Sequence, residues 1–446
     1  MDHITNNTHL KIQNAKNIKN LFQNVLNKLE EEQWIRNYIN EETAFTRKRI
    51  LTSSVVVKLL FARVFLSLSC FLCFQFSSSK NRITKQAFSK ARKQISHLLF
   101  QQLNSDLIQE FYQSFRLNRF QNKYLLFAID GTTLEIPNTK HLREIFGHTQ
   151  GQKGAKQIAR ASASCIYDVW NHLIVSSRID CYSTSEREMA IEMMDEIREK
   201  ECFLGKELLY LMDRGYYSFS LLTYFLSNHQ KFLFRVKKSV LQKYFKQTRS
   251  EDIVKEVDLT RLCPKGKEKE LEKLGNKTLI TLRFTKVLLS TGEEEYLLSN
   301  VEDIPLEELK QLYFQRWNIE ENYKFLKHKM DLENFSGKTK NTVLQDFYSA
   351  IINANIQQLI AQCVKKKETK KGTPYQVNQN LLVGFYRREI AGNILKRKSL
   401  LLHRISKIIR LLSDIPLVTP PPNRSFPRNI NDRVRANLHF SNYRPS

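Results

Sequence analysis

The chain has 446 residues, enough for two or three domains with an ample core. Its 71 Lys and Arg outnumber 45 Asp and Glu, a net charge of +26 spread along the whole length, which points to a polyanionic partner and leaves a membrane surface as the rival. Seven cysteines, odd in number and scattered from Cys70 to Cys363, argue against a disulfide framework and fit a reducing cytoplasm.

The opening MDHITNNTHLKIQNAK is polar and does not read as a signal peptide. Residues 1–115 read as helical and basic. The apolar run from Val55 to Phe76 is the one membrane candidate. Lys58 and Arg63 interrupt it, and the uncharged remainder to Phe74 is about 11 residues against the roughly 20 that cross a bilayer. It reads as a buried core helix, with Cys70 and Cys73 inside it and not on zinc. In SSSKNRITKQAFSKARKQISHLLF, a Ser/Asn cluster precedes Thr84 as a helix cap. Ile83, Phe88 and Ile95 then alternate with Lys85, Lys90, Arg92 and Lys93. This is the outline of a helix-turn-helix at 77–97, with those four cations as DNA-binding candidates.

From residue 123 the texture changes. KYLLFAIDGTTLEIP and IARASASCIYDVWNHLIVSSRID read as strands with turns at Asp130-Gly131 and Asp168 to Asn171. SEREMAIEMMDEIREK reads as a helix. KELLYLMD and KFLFRV read as strands flanking the helix SFSLLTYFLSNH. Strands first in hairpin, then alternating with helices, imply an α/β fold with a mixed sheet covered by helices. The Lys/Glu-rich stretch and strand of 237–292 interrupt that order as a β-rich, antiparallel insertion. EYLLSN resumes the core, and Pro305 opens one long helix past Met330. Residues 341–446 are helical again, broken at KKKETKKGTPY, and end in an extended Pro/Arg-rich tail.

The helix LEELKQLYFQRWNIEENYKFLKHKM carries the chemistry. At about 100° per residue, Tyr313, Arg316, Glu320 and Lys327 share an arc about 60° wide. Leu312, Ile319, Tyr323, Leu326 and Met330 form an adjoining apolar stripe suited to packing on a sheet. Arg316 and Glu320 alone could be a solvated i,i+4 pair. Two more carboxylates argue otherwise, because Asp130 and Asp213 each follow an apolar strand, where sites in such sheets lie. Three hard oxygen ligands suit Mg²⁺ or Mn²⁺. Two such ions roughly 4 Å apart serve in-line phosphoryl transfer, so a phosphodiester substrate would account for both the acids and the charge.

The pattern Y-x2-R-x3-E-x6-K, met by Tyr313, Arg316, Glu320 and Lys327, resembles the signature of bacterial insertion-sequence DDE transposases of the IS-four family. IDGTTLEIP and MDRGYYS look like that family's two aspartate blocks, and the resemblance spans about residues 80 to 340. It implies a ribonuclease H-like core, in two parts at 123–236 and 293–340, with a β-rich insertion and flanking helical regions. It implies that Asp130, Asp213 and Glu320 hold two Mg²⁺ or Mn²⁺ ions, and that Tyr313, Arg316 and Lys327 grip the transposon end. The implied activity is cut-and-paste transposition at terminal inverted repeats, by a homodimer on double-stranded DNA in the bacterial cytoplasm at the nucleoid, with no membrane partner.

The chain departs from the family at one point. A relative stacks a tryptophan of the insertion on a flipped base, whereas the tryptophans here are Trp34, Trp170 and Trp317. Phe284 or Tyr296 could stack instead, or could be strand core. Arg214 could meet phosphate or pair with an acid. The alternative function is a sequence-specific DNA-binding protein derived from a transposase that no longer cuts; the intact set of three acids favours the enzyme.

Overall fold

The computed structural model describes residues 13–47, 49–62, 68–77, 82–149, 157–239, 244, 251–275, 278–288, 292–365 and 375–418. The chain divides into two compact units. The first comprises residues 1–100, 329–337 and 341–446, and the second 101–328 and 338–340.

The first unit opens with helices α1 (Ala15–Lys28), α2 (Glu32–Arg36), α3 (Ser53–Ala62), α4 (Leu68–Gln75) and α5 (Lys85–Arg92). Val56, Val57, Leu59, Leu60 and Phe61 of α3 are buried, as expected of a core helix. No described helix is long and apolar enough to cross a membrane. Cys70 and Cys73 on α4 are exposed, so they are not the core residues the sequence suggested. Thr84 does cap α5, its hydroxyl accepting from the Ala87 amide at 3.1 Å. Residues 78–81 of the expected helix-turn-helix lie outside the described residues.

The second unit holds an eight-stranded sheet. Helix α6 (Leu98–Ser114) leads into β1 (Tyr124–Glu135), α7 (Lys140–Phe146), β2 (Arg160–Asp168) and β3 (Leu173–Cys181). These three strands form an antiparallel meander. Its second corner is held by Asp168, whose carboxylate accepts from the Tyr112 hydroxyl at 2.6 Å and from the Trp170 and Asn171 amides. Helix α8 (Glu186–Glu199) packs on β2 and β3 through a Met/Ile face and leads to β4 (Glu207–Met212). Helix α9 (Phe219–Ser227) then joins β4 to β5 (Lys231–Val236), and both of these strands run parallel to β1. The order β3-β2-β1-β4-β5 is the mixed sheet expected of a ribonuclease H-like core.

The insertion supplies β6 (Asp252–Asp258), α10 (Glu268–Glu272) and β7 (Leu279–Leu288), and β8 (Glu294–Ser299) follows. They are antiparallel, and β8 pairs with both β5 and β7, so the insertion prolongs the core sheet in the order β5-β8-β7-β6. Buried Arg283 ties it down, donating to Asp252 at 2.9 and 2.7 Å.

The expected turn at Asp130-Gly131 is not there. β1 runs straight through both residues, because β2 goes on pairing with it as far as Glu135. The expected long helix is also divided, into α11 (Leu306–Gln315), α12 (Trp317–Lys324) and a π-helical turn at Phe325–Lys329. At the division the Arg316 amide bonds the Tyr313 carbonyl and the Ile319 amide bonds the Arg316 carbonyl, a tightening to i→i+3.

The first unit resumes with α13 (Lys340–Gln362), α14 (Gln379–Glu389) and α15 (Lys398–Asp414), and a two-stranded pair of β9 (Tyr375–Gln376) and β10 (Leu417–Val418). α13 is buried nearly all round, and several of its polar residues find partners there. Asn353 donates to the Phe61 carbonyl at 2.7 Å and accepts from the Tyr386 hydroxyl. The Pro/Arg-rich tail after 418 and residues 366–374 lie outside the described residues.

Candidate active site

Parallel pairing of β1 with β4 sets the site. Its last pairs are Ala128 with Leu211 and Ile129 with Met212. The next residue on each strand is Asp130 and Asp213, so the two aspartates stand side by side one step past the ladder, on strands that lie ~4.8 Å apart. β1 continues beyond that step while β4 ends, and the chain turns away with the Tyr216 amide on the Asp213 carbonyl.

The divided helix brings the third acid. α12 lies on β1, and two side chains fasten it there. The Tyr323 hydroxyl donates to the Asp130 carbonyl at 2.7 Å, and the Lys327 ammonium donates to the Thr133 carbonyl at 2.7 Å. Leu312, Ile319, Tyr323 and Leu326 of the expected apolar stripe are buried.

Arg316 is the hub. Its side chain is only 3% exposed. Nη2 lies 2.9 Å from Glu320 Oε1 and Nη1 lies 3.9 Å from Asp130 Oδ2. Asp213 stands in the field of the same guanidinium and accepts from the Tyr313 hydroxyl at 3.1 Å. Arg235 on β5 lies 3.6 Å from Asp213 and 2.5 Å from Glu295. The arrangement therefore gathers Asp130, Asp213, Glu320, Tyr313 and Arg316. Lys327 belongs to the β1 anchor. Among the described residues, no three His, Cys, Asp or Glu stand together as a ready-made metal cluster; the three acids surround Arg316 instead.

The aspartates differ in electrostatics. Burial pushes the Asp130 carboxyl up to about 6 against the pull of Arg316 and the Gly131 amide, and the nearby carboxylates of Glu186 and Glu320 add to the rise. At Asp213, burial is outweighed by the Arg214 amide, the Arg316 and Arg235 guanidinium groups and the Tyr313 hydroxyl, which hold the carboxyl below its ordinary value. Of the two aspartates, Asp130 is the one that added positive charge would relieve. The Nε of Arg316 is buried without a hydrogen-bond partner, so the arginine does not fully satisfy the site. An all-oxygen carboxylate set of this kind fits Mg²⁺ or Mn²⁺.

Other expected residues fall differently. Lys85, Lys90 and Lys93 are exposed on and just after α5. Arg92 is buried at 1% exposure, donating to Gln345, Ser336, the Thr342 carbonyl and Asp346, so it is a structural cation and cannot reach DNA. Phe284 and Tyr296 are 1% and 6% exposed, and neither ring can receive a base. Exposed aromatic side chains on the same helical stretch as Glu320 include Trp317 and Phe314, at 47% and 49%. Arg214 is exposed. Arg235 was missed; an arginine near the end of the apolar strand KFLFRV was the available signal.

A model of the family described as "Transposase DDE domain" matches residues 121–356, just over half of the chain. The chain is 25% identical over 323 residues to the transposase InsG for insertion sequence element IS4 of Escherichia coli strain K12, covering 69% of this chain and 68% of that one. It also has a TM-score of 0.46 and 11% identity to a piggyBac transposase synaptic complex with hairpin DNA, over 99% of this chain and 92% of that one, a likeness that carries no argument. The family match covers more than half of the chain, and the chain belongs to the DDE transposase family.

Proposed function

We propose that this transposase cuts double-stranded DNA at the terminal inverted repeats of its element and joins the ends to a target, working as a homodimer across two ends. Asp130, Asp213 and Glu320 would hold the divalent cations, two Mg²⁺ or Mn²⁺ per site. The observation that carries this reading is the register of β1 on β4, which sets Asp130 beside Asp213. Bound cations would lower the pKa of a water or hydroxyl and neutralise charge on the transferring phosphoryl group.

The chain's own groups account for the rest. The scissile phosphodiester is attacked at phosphorus by a water or 3′-hydroxyl oxygen, and the bond to the leaving 3′ oxygen breaks. Arg316 and Tyr313 are buried against Glu320 and Asp213, so they would hold a phosphate of the transposon end by exchanging those contacts as DNA enters, the guanidinium gripping phosphate oxygens in bidentate fashion. Arg235 adds positive potential on the Asp213 side. Tyr323 and Lys327 keep α12 fixed on β1 while substrate enters. Trp317 and Phe314 offer faces for a base displaced near the cut, and Lys85, Lys90 and Lys93 offer cations for flanking backbone.

The test is strand cleavage on DNA carrying the element's ends, with Asp130→Asn, Asp213→Asn and Glu320→Gln. Each variant should bind the ends and fail to cut. Cutting by any of them removes that residue from the site. End binding without cutting by the unaltered protein in both Mg²⁺ and Mn²⁺ would leave the binding-protein reading instead.

A further inference from the structure

Gly131 follows Asp130 on β1, and the place where its Cβ would stand is filled by the Glu186 carboxyl group. The backbone there is ordinary strand, so the glycine supplies room and not a special conformation. Glu186 is the first residue of α8 and is exposed to solvent, yet its carboxylate lies close enough to Asp130 for the two to repel. Its neighbour Arg187 does not compensate it, being turned to the Gly215 carbonyl at 2.9 and 2.7 Å.

A second observation points to the same place. Tyr216 is 2% exposed, and its buried hydroxyl makes no well-formed hydrogen bond. It stands in the field of both Glu186 and Asp130. A carboxylate, a buried hydroxyl directed at it and a strand cleared of its Cβ therefore converge beside Asp130. The Tyr216 hydroxyl and the start of α8 both favour a carboxylate at Glu186, while its closeness to Asp130 opposes one.

We propose that Glu186 is a fourth carboxylate of the active site, a positioning residue that accepts from the water shell of the divalent cation beside Asp130. This rests on the metal reading given above. Mg²⁺ and Mn²⁺ keep several waters when only one or two carboxylates bind them directly, and those waters need acceptors. Partners at that remove are worth 10–100-fold in metal affinity. A carboxylate at a helix N-terminus also interacts favourably with the helix dipole, and that role alone would leave metal affinity untouched.

The experiment measures Mn²⁺ binding by full-length protein, without DNA, by calorimetry and by the electron paramagnetic resonance signal of free Mn²⁺. Glu186→Gln should weaken binding about tenfold. Gly131→Ala should weaken it similarly by displacing the carboxyl group, and combining the two should add little. Glu186 is exposed, so its variant should stay folded if Gly131→Ala does not. Asp130→Asn separates the two levels of the argument. If it loses Mn²⁺ while Glu186→Gln binds as the unaltered protein does, the role of Glu186 is overturned alone. If Asp130→Asn also binds normally, the metal site itself is overturned.

Discussion

The Arg316 guanidinium lies 2.9 Å from the Glu320 carboxylate and also faces Asp130, so a cation of the chain's own already sits among the acids. Arg316→Ala should lower unfolding stability by about 2 kcal/mol, on the low side for stranding a buried charge because Glu320 is one-third exposed. It should also raise Mn²⁺ affinity, since the ion no longer competes with the guanidinium, while DNA cleavage falls. Thermal melts across a Mn²⁺ titration check this, and an unchanged midpoint shift would remove the competition.

Arg92 and Lys90 share α5 but should behave in opposite ways. Arg92→Ala strands the buried carboxylate of Asp346 and should cost 3–5 kcal/mol on the scale of a broken buried pair. Lys90→Ala should leave stability within about 0.5 kcal/mol and weaken DNA binding with a shallower salt dependence. Urea unfolding and binding isotherms at several salt concentrations distinguish them.

Trp317 is 47% exposed, so Trp317→Ala should change stability by less than about 0.5 kcal/mol. If its face takes a displaced base, the loss should be about 1–3 kcal/mol in affinity for the cut end and much less for intact duplex. Equal affinities for both DNAs in the variant and the unaltered protein would rule out stacking.

Asp168 gives a pH signature remote from the site. Burial pushes its carboxyl up to about 6 despite four hydrogen bonds from Tyr112, Trp170 and Asn171. A raised folded pKa means that the native state holds the proton more tightly than the unfolded chain does. That contribution is fully present below about pH 4 and is lost as pH rises through about 6. The stability difference between the unaltered protein and Asp168→Asn should therefore shift in favour of the variant from pH 4 to pH 6 and then level off. Denaturant curves at four pH values would show it.

Much of the core was legible because its cues are local. The hairpin turn at Asp168 to Asn171 and the alternation of strand and helix after it sufficed for a mixed sheet and for Asp213 at the end of β4, whereas Asp130 lies within β1, which pairs on to Glu135. What no local cue carries is register. That Ile129 faces Met212, and hence Asp130 faces Asp213, depends on pairing across more than eighty residues. The same limit explains Arg92, whose charge is visible in the chain while its partners lie some 250 residues away. Ideal rotation assumes an unbroken helix, whereas the turn tightens at Arg316 and widens at Phe325, so spacing alone does not fix the direction of Lys327.

The insertion's strands lengthen the catalytic sheet in place of forming a body beside it. Excising residues 251–288 would not trim an accessory; it would strip β8 of one neighbour and leave a row of unpaired amides and carbonyls, an open template for clumping. The segment and the acids should accordingly melt in one calorimetric event, and any lineage shortening this part of the chain would have to refurnish that border.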